Sequence, residues 1–135
     1  MAALDLMIAG AQKSGTSSLL SWLGTHPRIL AQKRPEMTWF TDDDGPAGGF
    51  SDEFYFDANP GNCLRLGKLA GLMYSDQGLD RLVAHSPEVA TIVVLRDPVE
   101  RAYASFWFAR RRGREALDDF EQAVEPGLAL SLIHI

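Results

Sequence analysis

The sequence predicts an α/β protein of three layers, in which helices cover both faces of a parallel β-sheet. Residues 6–9 and 91–95 form short apolar runs of the kind that buried parallel strands show. Each run is followed by a signal for the start of a helix, hydroxyl residues from Thr16 in one case and Pro98 in the other. Strand, loop and helix in that order form the repeating unit of α/β folds.

The length and composition indicate one domain of ordinary globular character. The chain has 135 residues, of which 46% are hydrophobic and 23% are charged. Its net charge of −5 argues against a general nucleic-acid binder. Cys63 is the only cysteine, which excludes an internal disulfide and a cysteine-based metal site. We see no signal peptide and no apolar stretch of transmembrane length, so we expect a cytoplasmic protein without a membrane partner.

The loop after the first apolar run, GAQKSGTSS over residues 10–18, has the composition of a phosphate cradle. Gly10 and Gly15 permit backbone angles and close approaches that a Cβ would obstruct. The hydroxyl residues from Thr16 suit a helix start, where N–H groups without intrahelical partners attract anions. Lys13 adds a positive charge. An ordinary strand–turn–helix with a solvated lysine is the alternative.

The remaining elements are predicted from local patterns. These elements are helices over 16–23 and 78–85, a short strand over 29–31 and a central strand over 91–95. Turn-forming residues make 41–62 a surface excursion, and three aspartates within it are expected to form a solvated turn and no metal site.

The position of the lysine in the glycine loop separates it from a nucleotide-triphosphate loop. A Walker A loop reads GxxxxGK[ST], whereas here the lysine lies two residues before the second glycine. A KxGT[ST] loop after a first strand resembles the 5'-phosphosulfate loop of sulfotransferases that use PAPS (3'-phosphoadenosine 5'-phosphosulfate). The resemblance implies that Lys13 stabilises the departing phosphate and that Ser14, Gly15, Thr16 and Ser17 bind the 5'-phosphate.

A second resemblance lies in the run KRPEMTWFTDDD over residues 33–44. Sulfotransferases related to the heparan-sulfate group carry a similar K-E-x-x-F-F segment at this distance from the loop. The resemblance implies that Glu36 is the base toward the acceptor and that Lys33 is its charge partner. Alternatively, Glu36 begins a short helix after Pro35. The mixture of charged residues with an aromatic pair does not look like part of a core.

The segment CLRLGKLAGLMY over residues 63–74 offers a third match. The family often has E-K-[ST]-P-x-Y here, with its lysine near the sulfuryl group, and Lys68 matches that lysine. Gly67 stands in place of the glutamate, and the Ser/Thr-Pro pair is absent. In the alternative interpretation the segment is core, with Lys68 reaching out to solvent.

The run LRDPVERAYAS over residues 95–105 resembles the 3'-phosphate-binding segment of PAPS sulfotransferases. There an arginine and a serine eight residues later bind the 3'-phosphate, and a guanidinium can grip phosphate oxygens with two parallel hydrogen bonds. Arg96 matches the arginine, but the eighth residue after it is Ala104. Ser105 takes the serine's role only if the helix start is shifted by one residue.

Together these segments imply an α/β/α fold of the P-loop nucleotide-kinase-like sulfotransferase type. The implied activity is transfer of a sulfuryl group from PAPS to a hydroxyl or amine, on a carbohydrate or a small metabolite, without a metal. A P-loop small-molecule kinase and an inactive nucleotide-binding fragment are the alternatives.

We expect residues 1–125 to form the N-terminal part of a sulfotransferase domain and residues 126–135 to form a non-native or unpacked tail. The end of this tail, 130–135, back-translates to CTGTCTCTTATACACATC, a transposon end attached during preparation of DNA for sequencing. The tail is also apolar, which a soluble domain does not normally leave exposed. His134 is therefore assigned no functional role.

Overall fold

A computed structural model describes residues 2–130 of the chain, which divide into two compact units that meet between Leu95 and Arg96 in the sequence. The first unit contains strands and helices in alternation: β1 (Leu6–Gly10), α1 (Thr16–Leu23), β2 (Ile29–Ala31), α2 (Asp52–Tyr55), β3 (Leu64–Lys68), α3 (Asp76–His85) and β4 (Ala90–Val93). Short 3-10 turns lie at Thr38–Phe40, Pro46–Gly48 and Leu72–Tyr74. The second unit contains α4 (Pro98–Arg111) and α5 (Phe120–Leu130).

The four strands of the first unit form one parallel sheet in the order β2-β3-β1-β4. β1 is central, with Met7 beside Gly67 of β3 on one side and beside Thr91 of β4 on the other. Parallel strands end at a common edge, and ligands of open α/β sheets bind outside that edge. We call the edge at which β1, β2 and β3 end the carboxyl edge.

Helices and loops cover both faces of this sheet. Successive side chains of a strand point to opposite faces, so Gly67 and Lys68 at the end of β3 mark the two sides. The Lys68 side chain reaches Ser17 of α1. A Cβ built on Gly67 would lie 3.2 Å from the side chain of Met37, which belongs to the main hydrophobic cluster. α1 and that cluster therefore lie on opposite faces, and the predicted α/β fold with a parallel sheet is confirmed.

The segment that we interpreted as too polar and aromatic for a core in fact supplies much of the core. Met37 and Phe40 are fully buried, and they pack in one cluster with Tyr55 and Phe56. The hydroxyl of Tyr55 also accepts a hydrogen bond from the N–H of Trp39 at 3.2 Å. The interpretation was wrong because the 3-10 turn Thr38–Phe40 directs apolar side chains inward while the charged residues before it stay outside.

Two strand predictions also need correction. β3 was missed, since its alternation of leucine with arginine, glycine and lysine gives no strong β signal. β4 was expected in the middle of the sheet, but among the described strands it pairs with β1 alone, and Val93 is 46% exposed. A continuous β-branched run indicates a strand that is suited to burial, but it does not determine how many neighbouring strands pair with it.

A histidine lies within the aromatic part of the core. The ring of His85 lies 4.4 Å from that of Phe50 and 5.8 Å from those of Trp39 and Phe40, measured between centroids. Its Nδ1 lies 2.7 Å from Oγ of the buried Ser86, which already accepts the N–H of Leu4. The Ser86 hydroxyl is thus left to donate to Nδ1, an arrangement that suits a neutral imidazole. Burial lowers the pKa of His85 from its ordinary value, and the nearby Asp52 opposes that shift.

We expect acid to destabilise the first unit through His85. The unfolded chain takes up a proton near pH 6.5, whereas the folded state resists it, so the unfolding free energy should fall as the pH drops below about 6.5 toward the lowered pKa. Denaturant unfolding at a series of pH values between about 5 and 8 measures this dependence of the unfolding free energy on pH. His85→Phe should flatten the curve, and Leu82→Val, in the same helix, should lower it by a similar amount at every pH. An unchanged slope in His85→Phe would contradict the assignment.

The second unit is built on a well-capped helix. The carboxylate of Asp97 accepts the N–H groups of Val99 and Glu100 at 3.0 Å, as predicted for an N-cap before Pro98. Aromatic contacts join Phe106 of α4 to Phe120 of α5. Part of the predicted unpacked tail, residues 126–130, has the backbone of α5, while residues 131–135 with His134 lie outside the described residues. Within residues 2–130 no helix is long and apolar enough to cross a membrane.

Candidate functional site

The glycine loop between β1 and α1 has the strained backbone that a tight anion-binding loop requires. Lys13 has a φ of 61° and Gly15 a φ of 93°, so two residues in three occupy the left-handed region. The N–H of Ala11 binds the carbonyl of Val94 at 2.9 Å, which holds the start of the loop to the chain following β4. A Cβ at Gly10 would overlap the side chain of Met73. Positive φ angles of 155° at Gly10 and 93° at Gly15 favour glycine at both positions, and a side chain at position 10 would also have to displace that of Met73.

The start of α1 is suited to a bound anion. Its N-cap residue, Gly15, supplies no side-chain cap, and the first turn contains no acidic residue. The hydroxyl oxygen of Ser14 is buried and has no protein partner among the described residues. The N–H of Ser14 donates to the carbonyl of Ala11 at 3.3 Å, so Ser14 can offer its hydroxyl rather than its N–H. These features fit the phosphate group that the sequence pattern implied.

Three of the predicted site residues meet at the carboxyl edge. The ammonium of Lys68 lies 2.6 Å from Oε1 of Glu36, and it donates to Oγ of Ser17 at 3.1 Å. The other oxygen of Glu36, Oε2, accepts the N–H of Ala70 at 2.9 Å. We call Glu36, Lys68 and Ser17 the carboxylate–lysine–serine group. It links the predicted base, the predicted sulfuryl-binding lysine and the first turn of α1.

The alternative interpretation of segment 63–74 as core is confirmed, since Leu66 and Leu72 are fully buried. Its exposed lysine and the helix start at Glu36 are not found. The Lys68 side chain is 2% exposed and does not reach into solvent, because it is buried against Glu36, whose side chain is 35% exposed. Glu36 precedes the 3-10 turn Thr38–Phe40 and does not begin a helix. Lys33, the expected partner of Glu36, instead lies 3.3 Å from Asp57. A buried ammonium is tolerated when it is paired and hydrogen-bonded, as Lys68 is.

Comparison with known proteins finds similarity to heparan sulfate N-deacetylase/N-sulfotransferases. The chain is 28% identical over 116 residues to bifunctional heparan sulfate N-deacetylase/N-sulfotransferase 3 of Homo sapiens and of Mus musculus, and 27% identical to N-deacetylase/N-sulfotransferase 4 of Mus musculus. Each match covers 81% of this chain and 13% of the relative. No protein-family model matches the chain.

A solved structure shares the fold of this chain. The sulfotransferase from Alicyclobacillus acidocaldarius superposes with a TM-score of 0.75 and 25% sequence identity. The chain is therefore similar to sulfotransferases in both sequence and fold. The superposition covers 94% of this chain and 58% of the solved one, so the chain spans somewhat more than half of that protein and about an eighth of the curated relatives.

Two further predicted site residues lie in the second unit. Arg96 is exposed and its Nε lies 3.4 Å from Oε2 of Glu100, one helical turn further on. Ser105 is half-buried on α4. Nothing in the geometry of the first unit bears on either residue, so their binding of a 3'-phosphate stays a prediction.

One residue of the site was missed by the sequence analysis. Gln32 is 5% exposed and follows β2 directly, and its carboxamide hydrogen-bonds to both main-chain groups of Lys68. A polar residue directly after an apolar strand, at the edge where ligands bind, was the available signal. That signal is weak, because glutamine after a strand is also common in solvated turns.

Proposed function

We propose that this chain is the donor-binding part of a PAPS-dependent sulfotransferase. The observation that carries the proposal is the carboxylate–lysine–serine group, which brings a carboxylate and an ammonium to the first turn of α1 beside the glycine loop. The relatives support the class of reaction, since their names include N-sulfotransferase and sulfotransferase. When bound, PAPS supplies the sulfuryl group and a bisphosphate leaving group.

Glu36 is the proposed general base. Its side chain is partly exposed, so an acceptor hydroxyl or amine can reach a carboxylate oxygen. Both oxygens are held in place, one by the Lys68 ammonium and one by the N–H of Ala70. A carboxylate fixed by two contacts and still open on one side is suited to take a proton from an attacking nucleophile.

The cations and the helix start are proposed to stabilise negative charge. The N–H groups at the start of α1 and the hydroxyl of Ser14 hold the 5'-phosphate, and Lys13 stabilises the departing oxygen. Lys68, between Glu36 and Ser17, is placed to serve both the base and the transferred group. In this scheme the protein accelerates the reaction by positioning the reactants and by stabilising negative charge, as in phosphoryl transfer.

We propose a hydroxyl or amine of a carbohydrate or small metabolite as the acceptor. The curated relatives are named for N-sulfation of heparan sulfate, which makes an amino sugar a reasonable first acceptor to test. Because the chain spans 58% of the solved sulfotransferase, turnover should be measured on a version extended to the complete domain.

The proposal predicts that PAP (3',5'-ADP) binds more tightly than 5'-AMP. Arg96→Ala should remove most of that difference, because a lost charge-assisted contact to the 3'-phosphate costs on the order of 2–3 kcal/mol. Titration calorimetry of both nucleotides with both proteins measures the effect. Arg28→Ala is the matched control, since Arg28 is exposed and lies beyond the far end of α1 from the loop.

Two outcomes would count against the proposal. Equal affinity of the unmutated protein for PAP and 5'-AMP would remove the 3'-phosphate site. Tighter binding of ATP than of PAP would favour the kinase alternative, in which a triphosphate occupies the loop.

A further inference from the structure

The chain leaves the sheet directly after Gln32, and the side chain of Gln32 takes over the pairing there. The N–H of Gln32 still donates to the carbonyl of Leu66 at 3.0 Å, as in a continuing strand. The next N–H, that of Lys33, instead donates to the carbonyl of Tyr55 at 2.8 Å. The N–H of Lys68, at the end of β3, would therefore have no acceptor from the neighbouring strand if no side chain supplied one.

The carboxamide of Gln32 supplies that replacement. Its Oε1 accepts the N–H of Lys68 at 2.6 Å, and its Nε2 donates to the carbonyl of Lys68 at 3.1 Å. Nε2 also donates to the carbonyl of Arg34 at 2.8 Å. The oxygen and nitrogen of the amide are assigned by these partners, since a main-chain N–H needs an acceptor and a carbonyl needs a donor. One buried amide thus holds Lys68 and Arg34 together.

These contacts bear directly on the carboxylate–lysine–serine group. Glu36 lies two residues after Arg34, and its carboxylate meets the Lys68 ammonium at 2.6 Å. The N–H of Met37, the next residue, donates to the carbonyl of Lys68 at 2.8 Å. The main chain that carries Glu36 is therefore fastened to the main chain that carries Lys68, with Gln32 at the centre.

We infer that Gln32 is a positioning residue, whose carboxamide sets the distance between the Glu36 carboxylate and the Lys68 ammonium. This inference rests on the proposed function, in which that pair performs chemistry. Gln32 itself touches neither the donor nor the acceptor in this scheme. Its contribution is the geometry of the base and of the charge beside it, which catalysis requires to within a fraction of an ångström.

The test replaces Gln32 by methionine, which has a similar size and no hydrogen-bonding amide. In the complete domain, Gln32→Met should lower kcat per PAP-binding site by about 10- to 100-fold, while KM for PAPS and Kd for PAP stay within about twofold. Turnover is measured as PAP release with N-desulfated heparan sulfate oligosaccharide as acceptor. Counting active sites by PAP binding corrects for any unfolded protein.

Ser86→Ala is the matched control. It also removes a buried hydrogen-bonding side chain, which accepts the N–H of Leu4 at 2.8 Å at the opposite edge of the sheet. We expect it to lower stability and leave kcat per PAP-binding site unchanged. A purely structural role for Gln32 would give the same result as Ser86→Ala.

A second readout does not depend on turnover. Hydrogen exchange at the Lys68 amide should be at least about tenfold faster in Gln32→Met than in Ser86→Ala, because that N–H loses its acceptor. If Gln32→Met does not fold, Gln32→Asn keeps the polarity but withdraws the amide by one methylene, and the same changes are expected.

The outcomes separate the inference from the function on which it rests. An active unmutated enzyme whose Gln32 variants keep kcat would overturn the inference alone, as would equal loss of kcat and PAP affinity. Unchanged Lys68 exchange in Gln32→Met would overturn it without any activity measurement. Absence of PAP binding in the unmutated protein would instead refute the proposed function.

Discussion

Replacing Glu36 by glutamine in the complete domain should lower kcat by roughly 10²- to 10⁴-fold, the usual contribution of a general base. An amide cannot take the proton of the acceptor. It also has one oxygen, whereas the carboxylate accepts from both the Lys68 ammonium and the N–H of Ala70. Because neither contact belongs to the glycine loop, PAP affinity should change little. Steady-state kinetics across pH and PAP calorimetry measure the two effects.

Glu53→Gln is a suitable control for the loss of one carboxylate. Glu53 is exposed on α2 and makes no contact with the carboxylate–lysine–serine group, so its variant should keep the unmutated kcat. A Glu36→Gln enzyme with unchanged turnover at every pH would remove Glu36 from the mechanism. Lys68 would then be the first residue to examine as the base.

Replacing Lys13 by alanine should lower kcat by about 10²- to 10³-fold, the effect of removing one group that stabilises developing negative charge. PAP affinity should fall much less, because the charge of Lys13 matters most as the leaving oxygen becomes anionic. Alanine has about the same conformational preference as lysine at a φ of 61°, so the substitution removes the charge without making the loop backbone more flexible.

Lys13→Arg retains the charge and should recover part of the lost turnover. Pre-steady-state kinetics with PAPS, together with PAP calorimetry, separates chemistry from binding. Equal losses of kcat and PAP affinity in Lys13→Ala would show that Lys13 binds the ground state and the transition state alike. That result would move charge stabilisation to Lys68.

Local patterns in the sequence were enough to predict a parallel sheet, the glycine loop and the two helix starts, although they missed β3. The loop between β1 and α1 is specified by the residues within it, since Gly10 and Gly15 are favoured there by packing and by backbone angle. The N-cap at Asp97 follows from its own side chain and the proline after it. Each of these features depends on residues that are adjacent in the sequence, so it can be predicted from a single sequence.

Other features were settled by the tertiary structure, because they join residues far apart in the chain. The Glu36–Lys68 contact spans 32 residues and the Ser17–Lys68 contact spans 51. Resemblance to known motifs named these residues, but only the folded sheet brings them to one edge. Gln32 acquires its role from Lys68, 36 residues away, and nothing local to Gln32 distinguishes it. Likewise, the burial of Phe40 and the edge position of β4 depend on which segments cover each face of the sheet. The physical reason is that burial and hydrogen bonding are satisfied in three dimensions, whereas propensity acts along the chain.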